Sequence, residues 1–152
     1  MTDTTEFAKT RLEELVAFFG ANVDVEAKLT DDGIELAIGS TPVSPRLIGH
    51  RGDTLRALEF LVSQMVKRHD PEAPRILVDI AGYKQARRES LMQLAADIAE
   101  RVKSTGTEEE LKPMNPAERR IVHIALREID GVETESRGTD RQRRIVIKPA
   151  AS

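Results

Sequence analysis

Two short stretches of the chain hold residue types that could do chemistry. The first is Gly49-His50-Arg51-Gly52, in LIGHRGDTLRALEFLVSQMVKR. Two glycines bracket two side chains able to carry positive charge, just where a helix begins. Glycine permits positive φ and lets another backbone come close. A helix start offers N–H groups and the positive end of a dipole. A sugar-phosphate backbone is the natural ligand for such an arrangement. The second stretch is NPAERRIVHIALRE, with Arg119 and His123 four residues apart. On a helix, with Arg119 at zero, His123 falls at about 40°, Arg127 at about 80° and Arg120 at about 100°. One face thus gathers three arginines and a histidine, with Ile121, Val122, Ala125, Leu126 and Ile129 opposite. Glu128 falls inside that apolar arc. The residues that follow add Arg137, Arg141, Arg143, Arg144 and Lys148. Arginine's planar fork suits phosphate. Each stretch also has a plainer reading: a helix corner for the first, a solvated helix face for the second. Spacings this short arise often by chance, so context has to decide.

Enzyme readings find little support. The three histidines, His50, His69 and His123, are scattered. No HExxH, phosphate-binding Walker loop, GxSxG or GxGxxG occurs. His69-Asp70 without further ligands reads as a helix end, and Arg119 is a poor orienting partner for His123 as a base. The expectation is a non-enzymatic protein with no cofactor and no metal. There is no cysteine, which excludes disulfides and thiol catalysis and fits a reducing compartment. No apolar run is long enough to span a membrane. The acidic start, MTDTTEFAKTRLEEL, lacks the order of a signal peptide. A cytoplasmic location is expected.

The net charge of −3 hides an uneven distribution. Residues 1–35 carry nine acidic and three basic residues, whereas residues 46–68 carry two and five. Residues 113–148 carry six and eight. An acidic whole can still present basic faces, and local charge decides polyanion binding.

The elements that must position these residues follow from periodicity. Residues 4–20 read as a helix on Ala8, Leu12, Leu15, Val16 and Phe19, stopping at Gly20. Val23 to Leu29 and Ile34 to Ile38 alternate about Asp31-Asp32-Gly33, a β-hairpin. A short helical turn spans about Pro45 to Ile48. Residues 53–69 form a helix with the stripe Leu55, Leu58, Leu61, Val62, Met65 and Val66. Arg75 to Ile80 suits a strand buried on both faces. The order so far is α-β-β-α-α-β, with the two-glycine segment between its second and third helices. A long helix, about Tyr83 to Lys103, carries Leu91, Leu94, Ala95, Ile98 and Val102. Leu111 is placed in a short strand. Asn115 caps the next helix, Pro116 opens it, and Glu118 can return the capping bond. That helix runs to about Ile129. Val132 to Arg137 and Arg141 to Lys148 make a second hairpin about Gly138-Thr139-Asp140.

In this context the first half resembles the KH domain in its type II arrangement. Such domains clamp about four nucleotides of single-stranded RNA or DNA with a GxxG loop against an apolar groove. The resemblance implies that Gly49, His50, Arg51 and Gly52 are the loop and that Ile48 is its apolar partner. The groove is lined in such folds by the helix after the loop and a neighbouring strand. Many relatives have two cationic residues in the loop; here one of the pair is a histidine. The text PMNPAERRIVHIALREIDGVETESRGTDRQRRIVIKP resembles the Arg-x-x-x-His (RxxxH) domain, which binds single-stranded nucleic acids and packs a small three-stranded sheet on helices. The two together, joined by VDIAGYKQARRESL, resemble the Jag family (SpoIIIJ-associated proteins) over about residues 5–149. Two motifs and a linking segment agree in order and spacing.

The expected fold is therefore α+β: a type II KH domain over residues 1–81 and an RxxxH domain over residues 82–149, including its leading long helix. Family membership implies binding of single-stranded RNA, or single-stranded DNA, through the loop and through Arg119, Arg120, His123, Arg127, Arg137, Arg141, Arg143 and Arg144. It also implies pairing with a small KH protein or with a second copy, and a role in post-transcriptional control or cell-envelope growth. Many members carry a further N-terminal domain and basic linker, neither of which is expected here. The rival reading is a cytoplasmic scaffold that uses the KH fold for dimerisation. With four Phe and one Tyr, an aromatic platform of the RRM kind is not expected, so base contacts fall to the apolar groove with arginine stacking as a supplement.

Overall fold

A computed structural model describes residues 2–151. The chain divides into two compact units, one up to Lys84 and one from Gln85 on.

The first unit runs α1 (Thr2–Ala17), β1 (Val25–Thr30), β2 (Gly33–Ile38), α2 (Ser44–Ile48), a 3₁₀ turn (His50–Gly52), α3 (Asp53–His69) and β3 (Ile76–Ile80). Its sheet has the order β1-β2-β3. The hairpin pairs Val25 with Ile38 and Thr30 with Gly33. β2 and β3 run parallel, Ile34 beside Ile76 and Ile38 beside Ile80. A parallel pair needs a crossover, and here the crossover is α2, the glycine turn and α3. The strand pairing therefore requires the two-glycine segment to lie between the helices. Ala8, Leu12 and Val16 of α1 and Leu55, Leu58, Val62 and Val66 of α3 close over Ile34, Leu36, Ile38, Ile76, Val78 and Ile80.

Several expectations need adjustment. α1 ends at Ala17, and three short-range backbone bonds carry the chain to Gly20, whose φ is 79°. Leu61 is exposed although it belongs to the apolar pattern of α3. β3 is buried on one face only: Ile76, Val78 and Ile80 are covered, whereas Leu77 and Asp79 are half-buried. Its apolar run looked two-sided because Leu77 adds one apolar residue to the outer face.

The second unit consists of α4 (Tyr83–Thr105, beginning two residues before the division), β4 (Glu109–Glu110), α5 (Pro116–Arg127), β5 (Val132–Arg137), a 3₁₀ turn (Asp140–Gln142) and β6 (Arg144–Pro149). Its antiparallel sheet has the order β4-β6-β5. Leu91, Ala95, Ile98, Ala99 and Val102 of α4 pack with Leu111, Met114, Val122, Leu126, Ile145 and Ile147. Leu94 is exposed, and Ala99 takes the buried position instead. Leu111 lies just past β4, where its N–H donates to Ile145 O. β6 starts at Arg144 rather than Arg141, because the 3₁₀ turn takes up residues 140–142.

Asn115 caps α5 as its sequence predicts, its side chain accepting from Glu118 N at 2.9 Å. The return half of the capping box is replaced: the buried Glu118 carboxylate accepts from Arg87 Nε at 2.8 Å. α5 stops at Arg127, and Glu128 follows as its C-cap, exposed. Its place in the apolar arc costs nothing, since the helix has ended.

Candidate nucleic-acid interface

Three residues of the loop hold left-handed backbone. Gly49 has φ 73°, Arg51 φ 50° with ψ 32°, and Gly52 φ 78° with ψ 15°. The last of these caps α3, and no side chain caps that helix end. The glycines have an internal reason as well. A Cβ on Gly49 would lie 2.3 Å from Thr54 Oγ1, and one on Gly52 would lie 2.8 Å from Tyr83 Cε1. The space freed by the missing Cβ atoms is thus filled by the protein itself, not held open for a ligand. The glycines instead let the loop turn tightly enough to present His50 and Arg51.

His50 is exposed, and its side chain has no partner among the described residues. Arg51 and Ile48 are half-buried. Arg56 was missed by sequence reasoning, yet it organises the turn. Its Nη1 donates to Arg51 O at 2.9 Å and its Nη2 pairs with Asp53. The one available signal was its position, three residues after Asp53 on the same helix. Tyr83 was missed too. It packs on the first core and backs Gly52. Beside it, Lys84 Nζ bonds Glu59 Oε2 at 2.6 Å, and Lys84 N donates to Asp79 Oδ1 at 3.2 Å.

In the second unit the candidate residues divide sharply. Arg120 and Arg127 are exposed on α5 with no side-chain partner among the described residues, and Ile124, 47% exposed, lies between them. This apolar member of the cationic face was not anticipated. His123 Nδ1 lies 2.6 Å from Thr134 Oγ1 on β5. Arg119 is half-buried and donates to Met114 O at 2.6 Å, tying the helix to the segment before it. So the two residues that define the RxxxH spacing both hold structure.

The hairpin arginines are mostly committed. Arg137 pairs with Glu108 at 3.0 Å, Glu110 at 3.8 Å and Glu135 at 3.3 Å. Arg144 Nε lies 3.0 Å from Glu110 Oε2, and Lys148 pairs with Glu135. Arg143 Nε donates to Ser136 Oγ at 2.9 Å. Arg141 is exposed without a partner among the described residues. The bond from Arg137 holds Glu108 below the usual glutamate range, and those from Lys148 and Arg137 do the same for Glu135. Arg137 is raised in turn, chiefly by Glu108. A phosphate approaching Arg137 or Arg144 would have to displace carboxylates; one approaching Arg120, Arg127 or Arg141 would not.

Among the described residues no group of three His, Cys, Asp or Glu side chains could hold a metal ion. Nor is any helix there long and apolar enough to cross a membrane.

Comparison with known proteins agrees with this division. Residues 89–149 match the RxxxH domain family, named for its Arg-x-x-x-His spacing. A protein of Bacillus subtilis (strain 168) named RNA-binding protein KhpB is 31% identical over 147 residues, covering 95% of this chain and 70% of that protein. The chain belongs to the KhpB (Jag) family. The KhpB of Clostridium symbiosum is 43% identical over 101 residues, 66% of this chain and 46% of that protein. That of Streptococcus pneumoniae serotype 2 is 31% identical over 130 residues, 83% and 39% respectively. The chain therefore spans about half the length of the KhpB proteins it matches, or less, except in B. subtilis.

Proposed function

We propose that the chain binds single-stranded RNA through two surfaces, without catalysing a reaction. The first is the Gly49–Gly52 loop with Ile48 and the start of α3; the second is the exposed part of α5, Arg120, Ile124 and Arg127, with Arg141. The order α-β-β-α-α-β with parallel β2 and β3 supports reading the first unit as a type II KH domain. The names of the KhpB relatives support RNA as the ligand. The observation that carries the reading is the loop geometry. Left-handed backbone at Gly49, Arg51 and Gly52 places His50 and Arg51 before a helix end that no side chain caps. Phosphate suits such a site because N–H groups and the helix dipole both favour negative charge.

Arg119, Arg137 and Arg144 hold the second unit together in this reading, and Arg143 and His123 position β5. Two modest surfaces on one chain gain by avidity when one strand reaches both. Post-transcriptional regulation is the cellular role this would serve. The test is binding of labelled single-stranded RNA by the wild type and by His50→Asp/Arg51→Asp. Loss of binding in a folded double variant supports the loop as the clamp. Unchanged binding would move the affinity to the second unit.

A further inference from the structure

One side of α3 carries a group of residues with no place in the core. With Leu55 at zero on the helix, Glu59 lies at about 40°, Ser63 at about 80°, Arg56 at about 100° and Phe60 at about 140°. Arg56 ties this side to the loop through Arg51 O. Glu59 ties it to the sheet, because its Oε2 accepts from Val78 N at 2.8 Å. β3 is an edge strand, so this N–H lies on the strand's open side. The same oxygen takes Lys84 Nζ at 2.6 Å. Oε1 has no partner among the described residues, and the Lys84 side chain is 45% exposed. Next to Glu59, Phe60 is 62% exposed. Capping a strand edge requires one carboxylate oxygen; it does not require a lysine beside it or an aromatic ring left in solvent.

We propose that Phe60, Glu59 and Lys84 form a base-reading subsite, about 10 Å along α3 from the loop. Resting on the proposed nucleic-acid reading, it names the residues that choose the base. The Phe60 ring stacks on a base whose phosphate is held at the loop. Glu59 Oε1 accepts from an exocyclic amino group, and the Lys84 ammonium donates to the ring nitrogen beside it. Cytosine (N4 amino, N3) and adenine (N6 amino, N1) present that order, a donor next to an acceptor. Uracil, with O4 beside N3–H, presents the reverse and sets an oxygen against the carboxylate. The loop's hold on the sugar-phosphate backbone limits the base's freedom to turn over.

The experiment measures binding of labelled octacytidine and octauridine to the full chain across a salt series. Wild type, Phe60→Ala, Glu59→Gln and His50→Asp/Arg51→Asp are compared, with circular dichroism on each. The wild type binds octacytidine about tenfold more tightly than octauridine. Phe60→Ala weakens both by about tenfold at an unchanged salt slope, since stacking and not charge is removed. Glu59→Gln keeps an oxygen for Val78 N but loses the carboxylate, and the preference falls to about twofold or less. Suppose the loop variant loses binding while Phe60→Ala and Glu59→Gln match the wild type. The subsite is then wrong and the loop reading stands. If the wild type binds neither oligomer, both fall.

Discussion

At the scale of single residues, the glycine loop shows two demands meeting in one motif. Gly49 needs positive φ and also space, because Thr54 Oγ1 sits where its Cβ would go. Gly49→Ala should therefore cost about 2–4 kcal/mol, from left-handed strain plus overpacking. Gly82 is the natural control, with φ 67° and nothing within 4 Å of an added Cβ. Gly82→Ala should cost only about 1 kcal/mol. Urea unfolding of both variants checks the contrast; equal costs would mean that Thr54 simply moves aside. The loop itself was legible in the sequence, since two glycines at a helix start are a local signal. Its internal packing was not, because Thr54 and Tyr83 reach the glycines only through the fold. Arg119 makes the same point. Its position on a cationic face was readable from spacing, but its bond to Met114 O depends on how the preceding segment turns.

At the scale of elements, the helix and strand types followed from periodicity, while faces and ends depended on neighbours. Leu61 and Leu94 fit their stripes by spacing yet lie exposed, because each sits at the flank of an arc that the core covers only in part. The cap of α5 was legible as the motif Asn115-Pro116-Ala117-Glu118. Asn115→Ala should destabilise the second unit by about 1 kcal/mol, measured by urea unfolding. The new partner of Glu118 was not legible, as Arg87 lies on another helix. The ion pairs among β4, β5 and β6 add a pH dependence. Glu108, Glu109 and Glu135 all have lowered pKa values, held by Arg137, Arg101 and Lys148 with Arg137. A carboxyl whose folded pKa lies below its unfolded value adds stability above the unfolded value and loses it as pH falls through the folded one. These pairs are exposed, so each contributes little and salt weakens it. Melting of the second unit should therefore shift down modestly between about pH 5 and pH 3, and less in high salt. An unchanged melting temperature over that range would show that the pairs form equally in the unfolded chain.

At the scale of the whole molecule, the net charge of −3 says little about binding; what matters is which cations remain available. A count of arginines in the sequence overstated the second surface, because the Glu108–Glu110 run and Glu135 draw Arg137, Arg144 and Lys148 into pairs. The two-part organisation was readable from motif order, though the units divide after Lys84, three residues beyond the expected boundary. That difference has a physical basis: Tyr83 packs on the first core and Lys84 bonds Glu59. If Arg120 and Arg127 each meet a phosphate, Arg120→Gln/Arg127→Gln should flatten the salt slope of RNA binding by about 1.4. Arg137→Gln should leave the slope near wild type while lowering stability. The reverse pattern would make the hairpin, not α5, the second surface.

The most direct test of the central claim is fluorescence anisotropy of a labelled single-stranded RNA with the wild type and with His50→Asp/Arg51→Asp, across a salt series, with circular dichroism confirming that both are folded. The account predicts that the wild type binds, that salt weakens binding, and that the double variant loses most of it. Equal binding by the two folded proteins would contradict the loop's role as a clamp.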